Sequence, residues 1–120
     1  MTRQLVAASL LLLAAAGVWE RGIAQVARPV VYVMPIHGMI DLGLAPFLTR
    51  TLREAQQAGA AAVLLDINTF GGRVDAAVAM RDALVNAPIR TIAFINPRAI
   101  SAGALIALAT ETIVMAGGGR

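Results

Sequence analysis

The sequence predicts an α/β domain built on a parallel sheet, each strand joined to the next by a right-handed helical crossover. Three observations carry that prediction. Apolar, β-branched runs of strand length recur at Val30 to Ile36, Ala61 to Ile67 and Thr91 to Ile95. Segments with helical apolar spacing separate them, and glycine or proline marks most changes of element.

Val30 to Ile36 is a near-continuous apolar run, as expected of a strand buried on both faces, and His37-Gly38 ends it. Leu44 to Gly59 reads as a helix with Phe47, Leu48, Leu52 and Ala55 on its inner face and Arg50, Arg53, Glu54 and Gln57 largely away from it. Gly59 is placed to close that helix as its C′ residue. Ala61 to Ile67 is a second buried strand, followed by a turn at Asn68 to Gly72. Val74 to Ala87 is a helix with Val74, Ala77, Val78 and Leu84 inward, Asp75 and Asp82 bracketing Arg81, and Pro88 stopping it. Thr91 to Ile95 is the third strand, Asn96-Pro97 a turn, Ile100 to Ala109 a helix, and Thr112 to Met115 a fourth strand. Gly117-Gly118-Gly119-Arg120 forms a closing loop with no further element to seal the sheet, so residues 28–120 read as a domain incomplete at its C-terminus.

The chain has 120 residues, 58% hydrophobic, with a mean hydropathy of +0.74. Part of that excess is local. Arg3 precedes the uncharged apolar run Leu5 to Val18, which is short for a bilayer span and suits the hydrophobic region of a secretory signal. Gly22-Ile23-Ala24 supplies small residues for cleavage before Gln25; the rival reading is an uncleaved anchor with Trp19 at the membrane interface. Residues 1–24 are therefore a signal peptide or an N-terminal membrane anchor, and the expected location is exported or membrane-associated, on the extracytoplasmic (periplasmic) face.

Cysteine is absent, which excludes disulfides, thiolate catalysis and cysteine-ligated zinc. All ten basic residues are arginine. They are scattered singly among few aromatics, which argues against nucleic-acid binding. Neither GxGxxG nor a GxxxxGK phosphate loop occurs, and no carboxylate pair or HExxH spacing suggests a metal or glycosidase site. No cofactor and no metal are expected.

Two motifs carry chemistry. In Thr69-Phe70-Gly71-Gly72 the paired glycines follow a parallel strand, where bare backbone N–H groups can stabilise an oxyanion; an ordinary βα turn uses glycine for the same steric reason. Ser101, in Ala99-Ile100-Ser101-Ala102-Gly103-Ala104, sits at a helix start. Its default role is an N-cap, yet the small residues around it leave room for a substrate main chain, and the helix N-terminus favours an alkoxide. A nucleophile beside an oxyanion hole is the minimum equipment for acyl transfer. His37, the one histidine, is a candidate base that Asp66 or Asp41 could orient, although a histidine at a strand end is commonly solvated and a turn carboxylate commonly caps a backbone.

At these residues the chain resembles the NfeD family of ClpP-class, membrane-bound serine peptidases. The matching segments are Val33-Met34-Pro35-Ile36-His37-Gly38-Met39-Ile40, then Ala58 through Gly72, then Ala99-Ile100-Ser101-Ala102-Gly103, and finally Ala116-Gly117. The resemblance implies a ClpP/crotonase-like fold and a Ser–Lys dyad mechanism, with Ser101 as nucleophile. It implies an oxyanion hole from the backbone N–H of Gly71 or Gly72 together with that of Ala102. Phe70 and Gly103 fall beside the substrate groove. It further implies an endopeptidase that prefers apolar stretches, stomatin-like membrane proteins as partners, and a homo-oligomer. Two departures stand out. Family members usually carry proline where Phe70 stands, and the family's general-base lysine has no counterpart, since this sequence contains no lysine. Arginine cannot replace it, because guanidinium keeps its proton at any usable pH. The 120 residues are therefore expected to be catalytically incomplete. The competing readings are a non-catalytic membrane-associated scaffold and a crotonase-like acyl-CoA enzyme, the latter disfavoured by the leader.

Overall fold

The computed structural model describes residues 27–120; the leader expected at residues 1–24 lies outside them. The described chain runs β1 (Val31–Ile40), α1 (Leu44–Gln57), β2 (Ala62–Gly72), α2 (Val74–Val85), β3 (Thr91–Ala99), α3 (Ala102–Leu108) and β4 (Thr112–Met115). The strands form one sheet in the order β1-β2-β3-β4, and every neighbouring pair is parallel. The expected parallel α/β architecture is the one observed.

Strands laid down in consecutive order by right-handed crossovers place their helices on a single face. The burial pattern follows. Met34, Ile36, Val63, Leu65, Ile67, Ala93 and Ile95 point to the helices and are buried. On the opposite face Val31 is 44% exposed and Val33 64%. The first strand is thus covered on one side only among the described residues, not on both as its unbroken apolar run suggested. β2 has neighbours on both edges and alternates buried with half-buried residues for most of its length.

The inner face of α1 is the expected one except at Phe47, whereas that of α2 is rotated from expectation. In α1, Leu48, Thr51, Leu52 and Ala55 are inside. Phe47 lies at the rim, 36% exposed, with the Arg50 guanidinium 5.4 Å from its ring centre. In α2 the buried residues are Ala76, Ala77, Met80 and Leu84, whereas Val74 and Val78 face outward. This helix is apolar nearly all round, so periodicity could not select its face; packing against α1 and α3 did. Asp75 pairs with Arg73 (Nη2 to Oδ2, 2.7 Å), and Arg81 pairs with Asp82 alone. The end of α1 follows the sequence reading: Gly59 takes φ +66°, its N–H bonds Gln56 O at 3.1 Å, and Ala60 N–H bonds Ala55 O at 2.9 Å. That pair of bonds is a Schellman closure.

The largest correction concerns the C-terminal ends of the strands, where turns were expected and strand continues. β1 runs through His37-Gly38 to Ile40, and β2 through the double glycine. β3 runs through Asn96-Pro97 to Ala99. The ladders continue because they absorb extra residues. After the step His37↔Asn68 the next β1–β2 pair is Met39↔Gly71, one extra residue on β2. After Ile67↔Ile95 the next β2–β3 pair is Thr69↔Ala99, two extra on β3. Pro97, which has no N–H to give, falls inside the second break. Bulges of this kind bend a strand and re-aim its side chains. Beyond β4 the chain turns at Gly118 (φ +78°) and returns to β3, where Arg120 N–H bonds Pro97 O at 2.9 Å and Ala99 N–H bonds Arg120 O at 2.8 Å.

Candidate active site

Ser101 follows the bulged end of β3 and precedes α3. Its backbone sits at φ +56°, ψ −120°, the one positive φ at a non-glycine residue among the described residues. Such a conformation costs on the order of 1–3 kcal/mol and persists only where its surroundings enforce it. Although Ser101 occupies the N-cap position, its side chain makes no capping hydrogen bond. The default structural role of this serine is therefore not taken up, and the residue is exposed.

The double glycine comes against it. A Cβ built on Gly71 (φ +110°) would lie 2.8 Å from Ser101 Cβ and 3.2 Å from Ser101 Oγ, so only glycine allows this approach. Gly72 is required for another reason: a Cβ there would lie 2.6 Å from Ile40 N, inside the backbone of β1. Gly71 N–H is engaged, donating to Thr69 Oγ1 at 2.9 Å. Ala102 N–H, the first of α3, has no acceptor among the described residues. Sequence distance of thirty residues thus collapses to van der Waals contact through one crossover.

Gly103 is buried, and the space its side chain would need is filled by the Thr69 methyl group. It serves close packing of α3 on β2, not an open groove as expected. Phe70 is 71% exposed and, with Gly38, Met39, Gly71 and Gly72, lines an apolar depression of about 390 Å³. The Arg98 guanidinium covers one side of the Phe70 ring, 4.5 Å from its centre. Arg98 Nε is buried without a hydrogen-bond partner among the described residues, so this stacked contact is what holds the group in place.

Sequence reasoning passed over Thr69. Its side chain is 1% exposed; Oγ1 donates to Gly38 O and accepts from Gly71 N–H, and its main-chain O accepts Ile100 N–H at 3.1 Å. The signal was available in principle, as a β-branched hydroxyl residue directly before a Phe-Gly-Gly bend. A threonine in a strand is nevertheless unremarked by any motif rule.

His37 does not engage Ser101. Its Nε2 lies 2.9 Å from Asp66 Oδ2, and both groups are partly solvated. Asp41 Oδ1 accepts the Gly43 N–H at 2.8 Å just ahead of α1, the backbone-capping role weighed for it. Among the described residues no helix is long and apolar enough to cross a membrane, and no three His, Cys, Asp or Glu side chains gather to hold a metal.

Comparison with known proteins gives this site a context. The family described as "NfeD1b, N-terminal domain" matches residues 30–120. The membrane protein NfeD1b of Bacillus subtilis is 44% identical over 97 residues, covering 81% of this chain and 22% of that protein. The chain therefore spans about a fifth of the length of that curated relative. Among solved structures, the 1510-N membrane protease specific for a stomatin homolog from Pyrococcus horikoshii superposes with a TM-score of 0.71 at 33% identity, covering 78% of this chain and 48% of that one. A ClpP1 variant from Listeria monocytogenes gives a TM-score of 0.62 at 25% identity, over 66% of this chain and 46% of that one. The fold is ClpP-like.

Proposed function

This chain belongs to the family of NfeD1b N-terminal domains, and on that premise and the geometry at Ser101 we propose that it forms the nucleophile-bearing part of a membrane-associated serine endopeptidase. Ser101 Oγ attacks the carbonyl carbon of a peptide bond, and the resulting oxyanion is met by the N–H groups of Ala102 and Gly72, because that of Gly71 is engaged by Thr69. The serine proton passes to a base and from it to the departing amine; water then hydrolyses the acyl-enzyme by the reverse route. That base is a lysine amine supplied from outside these 120 residues, for the sequence contains none. The substrate is an apolar peptide stretch lying along Met39 and Phe70, of the stomatin-like class named for the Pyrococcus relative. The full protein acts at the extracytoplasmic face as a homo-oligomer.

The observation that carries this reading is a strained, exposed serine that caps nothing and touches a glycine that tolerates no side chain. A second reading is a scaffold without activity that binds partners through the apolar depression at Met39 and Phe70. A fluorophosphonate probe separates the two. The full-length protein should be labelled, and Ser101→Ala should abolish labelling. Labelling that survives the substitution assigns the nucleophile elsewhere, and an unlabelled full-length protein with an intact fold favours the scaffold.

A further inference from the structure

We propose that Thr69 is a positioning residue of this site, its buried side chain setting the distance between the Gly71-Gly72 bend and Ser101. The proposal rests on the peptidase reading above. Four contacts converge on this residue, one from its own strand and three from residues distant in sequence. Its hydroxyl donates to the Gly38 carbonyl of β1, opposite the bulge of β2, and accepts the Gly71 N–H at 2.9 Å. Its carbonyl holds Ile100, the residue before the nucleophile, at 3.1 Å. Its methyl group occupies the space that a side chain at Gly103 would fill, pinning the first turn of α3.

These contacts lie beside the register shifts of both ladders, where pairing resumes only at Met39↔Gly71 and Thr69↔Ala99. The threonine side chain adds to the sheet bonds a fixed spacing across the shifts. By turning the Gly71 N–H toward itself, Thr69 fixes the peptide plane between Phe70 and Gly71, and with it the surface against which Ser101 rests. The chemistry asks for both branches at Cβ: a hydroxyl to bridge two backbone groups, and a methyl to pack against the helix. Serine keeps the first, valine keeps the second, and alanine keeps neither.

The test uses the full-length protein, a fluorophosphonate as titrant of Ser101, and an apolar peptide substrate. Thr69→Val should fold and bind peptide with KM changed by less than about threefold, while acylation slows by roughly a hundredfold, the scale of a misplacement of about 1 Å. Thr69→Ser should recover most of that rate. Hydrogen exchange at the Gly71 amide should accelerate in Thr69→Val and stay slow in Thr69→Ser. A Thr69→Val protein acylated at the wild-type rate overturns the proposal, as does equal slowing in the Val and Ser variants. Should Thr69→Val not fold, Thr69→Ala against Thr69→Ser isolates the hydroxyl, and equal acylation in that pair overturns it as well. An unlabelled wild-type protein refutes the peptidase reading and this one together. A labelled wild type with an indifferent Thr69→Val refutes this one alone.

Discussion

The two ends of the sheet are built on different principles. At the N-terminal end the strands run in step: Val31 to His37 pairs with Ala62 to Asn68, and Val63 to Ile67 with Thr91 to Ile95, without interruption. Side chains there alternate between a packed and an open face, and the connection from α1 closes with an ordinary glycine cap. At the C-terminal end both ladders slip, Gly38, Gly71 and Ser101 adopt positive φ, and buried Thr69 adds side-chain bonds to its ladder pairing. Regular pairing maximises backbone hydrogen bonding but points every side chain up or down. Ser101 lies just beyond the shifted end of β3, where the bent strand brings it against Gly71. The contrast separates stability from chemistry in one small domain.

Substitutions at the two ends should therefore have opposite signatures. The largest effect is expected from Gly71→Ala, whose new Cβ would meet Ser101 Cβ at 2.8 Å. Fluorophosphonate labelling of the full-length protein should fall by a factor of about 100 or more, with the fold retained by circular dichroism. Labelling at the wild-type rate would break the comparison, because the slipped end would then tolerate what its geometry forbids. Leu65→Ala, in the regular half, removes a fully buried side chain and should cost about 2–5 kcal/mol in denaturant unfolding. Labelling per folded molecule should stay unchanged. A loss of labelling out of proportion to the folded fraction would show the two ends to be coupled. Gly59→Ala forces a side chain into positive φ on open ground and should cost about 1 kcal/mol, again without a kinetic effect.

The smallest effect is expected at the entry to α2. The Asp75 carboxyl is held below its ordinary value, first by the Arg73 side-chain hydrogen bond and then by the Ala76 N–H. Its contribution is therefore present above the ordinary carboxylate range and lost as pH falls through the lowered value. The pair is solvent-exposed, so Asp75→Asn should lower the melting temperature only slightly at neutral pH. The difference from wild type should shrink in high salt and vanish in acid. A large effect that persists in high salt would mean that Asp75 acts mainly through the helix backbone at Ala76 and not through Arg73.

Legibility in the sequence tracks the same division. Element order, parallel pairing and the glycine closure of α1 were readable because each rests on local pattern: strand-length apolar runs, helical spacing, one glycine past the last turn. Ser101 and the double glycine were readable as a pair from their motifs and from the family they resemble. The face of α1 was readable but for Phe47, whereas that of α2 was not, since Val74, Ala76, Ala77 and Val78 are all apolar and periodicity cannot choose among them. Strand ends were misread as turns because glycine and proline ordinarily break a ladder, and only the pairing register shows that here they extend it. Thr69 was invisible because its meaning lies in contacts to Gly38, Ile100 and Gly103, all at least thirty residues away.

Chain order and residue chemistry were thus enough to specify a parallel α/β sheet and to nominate a hydroxyl and a glycine bend, because both follow from short-range steric rules; the family resemblance added the ClpP-like identity of that sheet. Three things were decided only on folding. One is the positive φ that frees Ser101 from capping its own helix; another is the anchoring of Thr69 to Gly38, Ile100 and Gly103; the third is which side of α2 turns inward. Each depends on atoms brought together by the crossovers, and no short stretch of sequence contains both partners of such a contact.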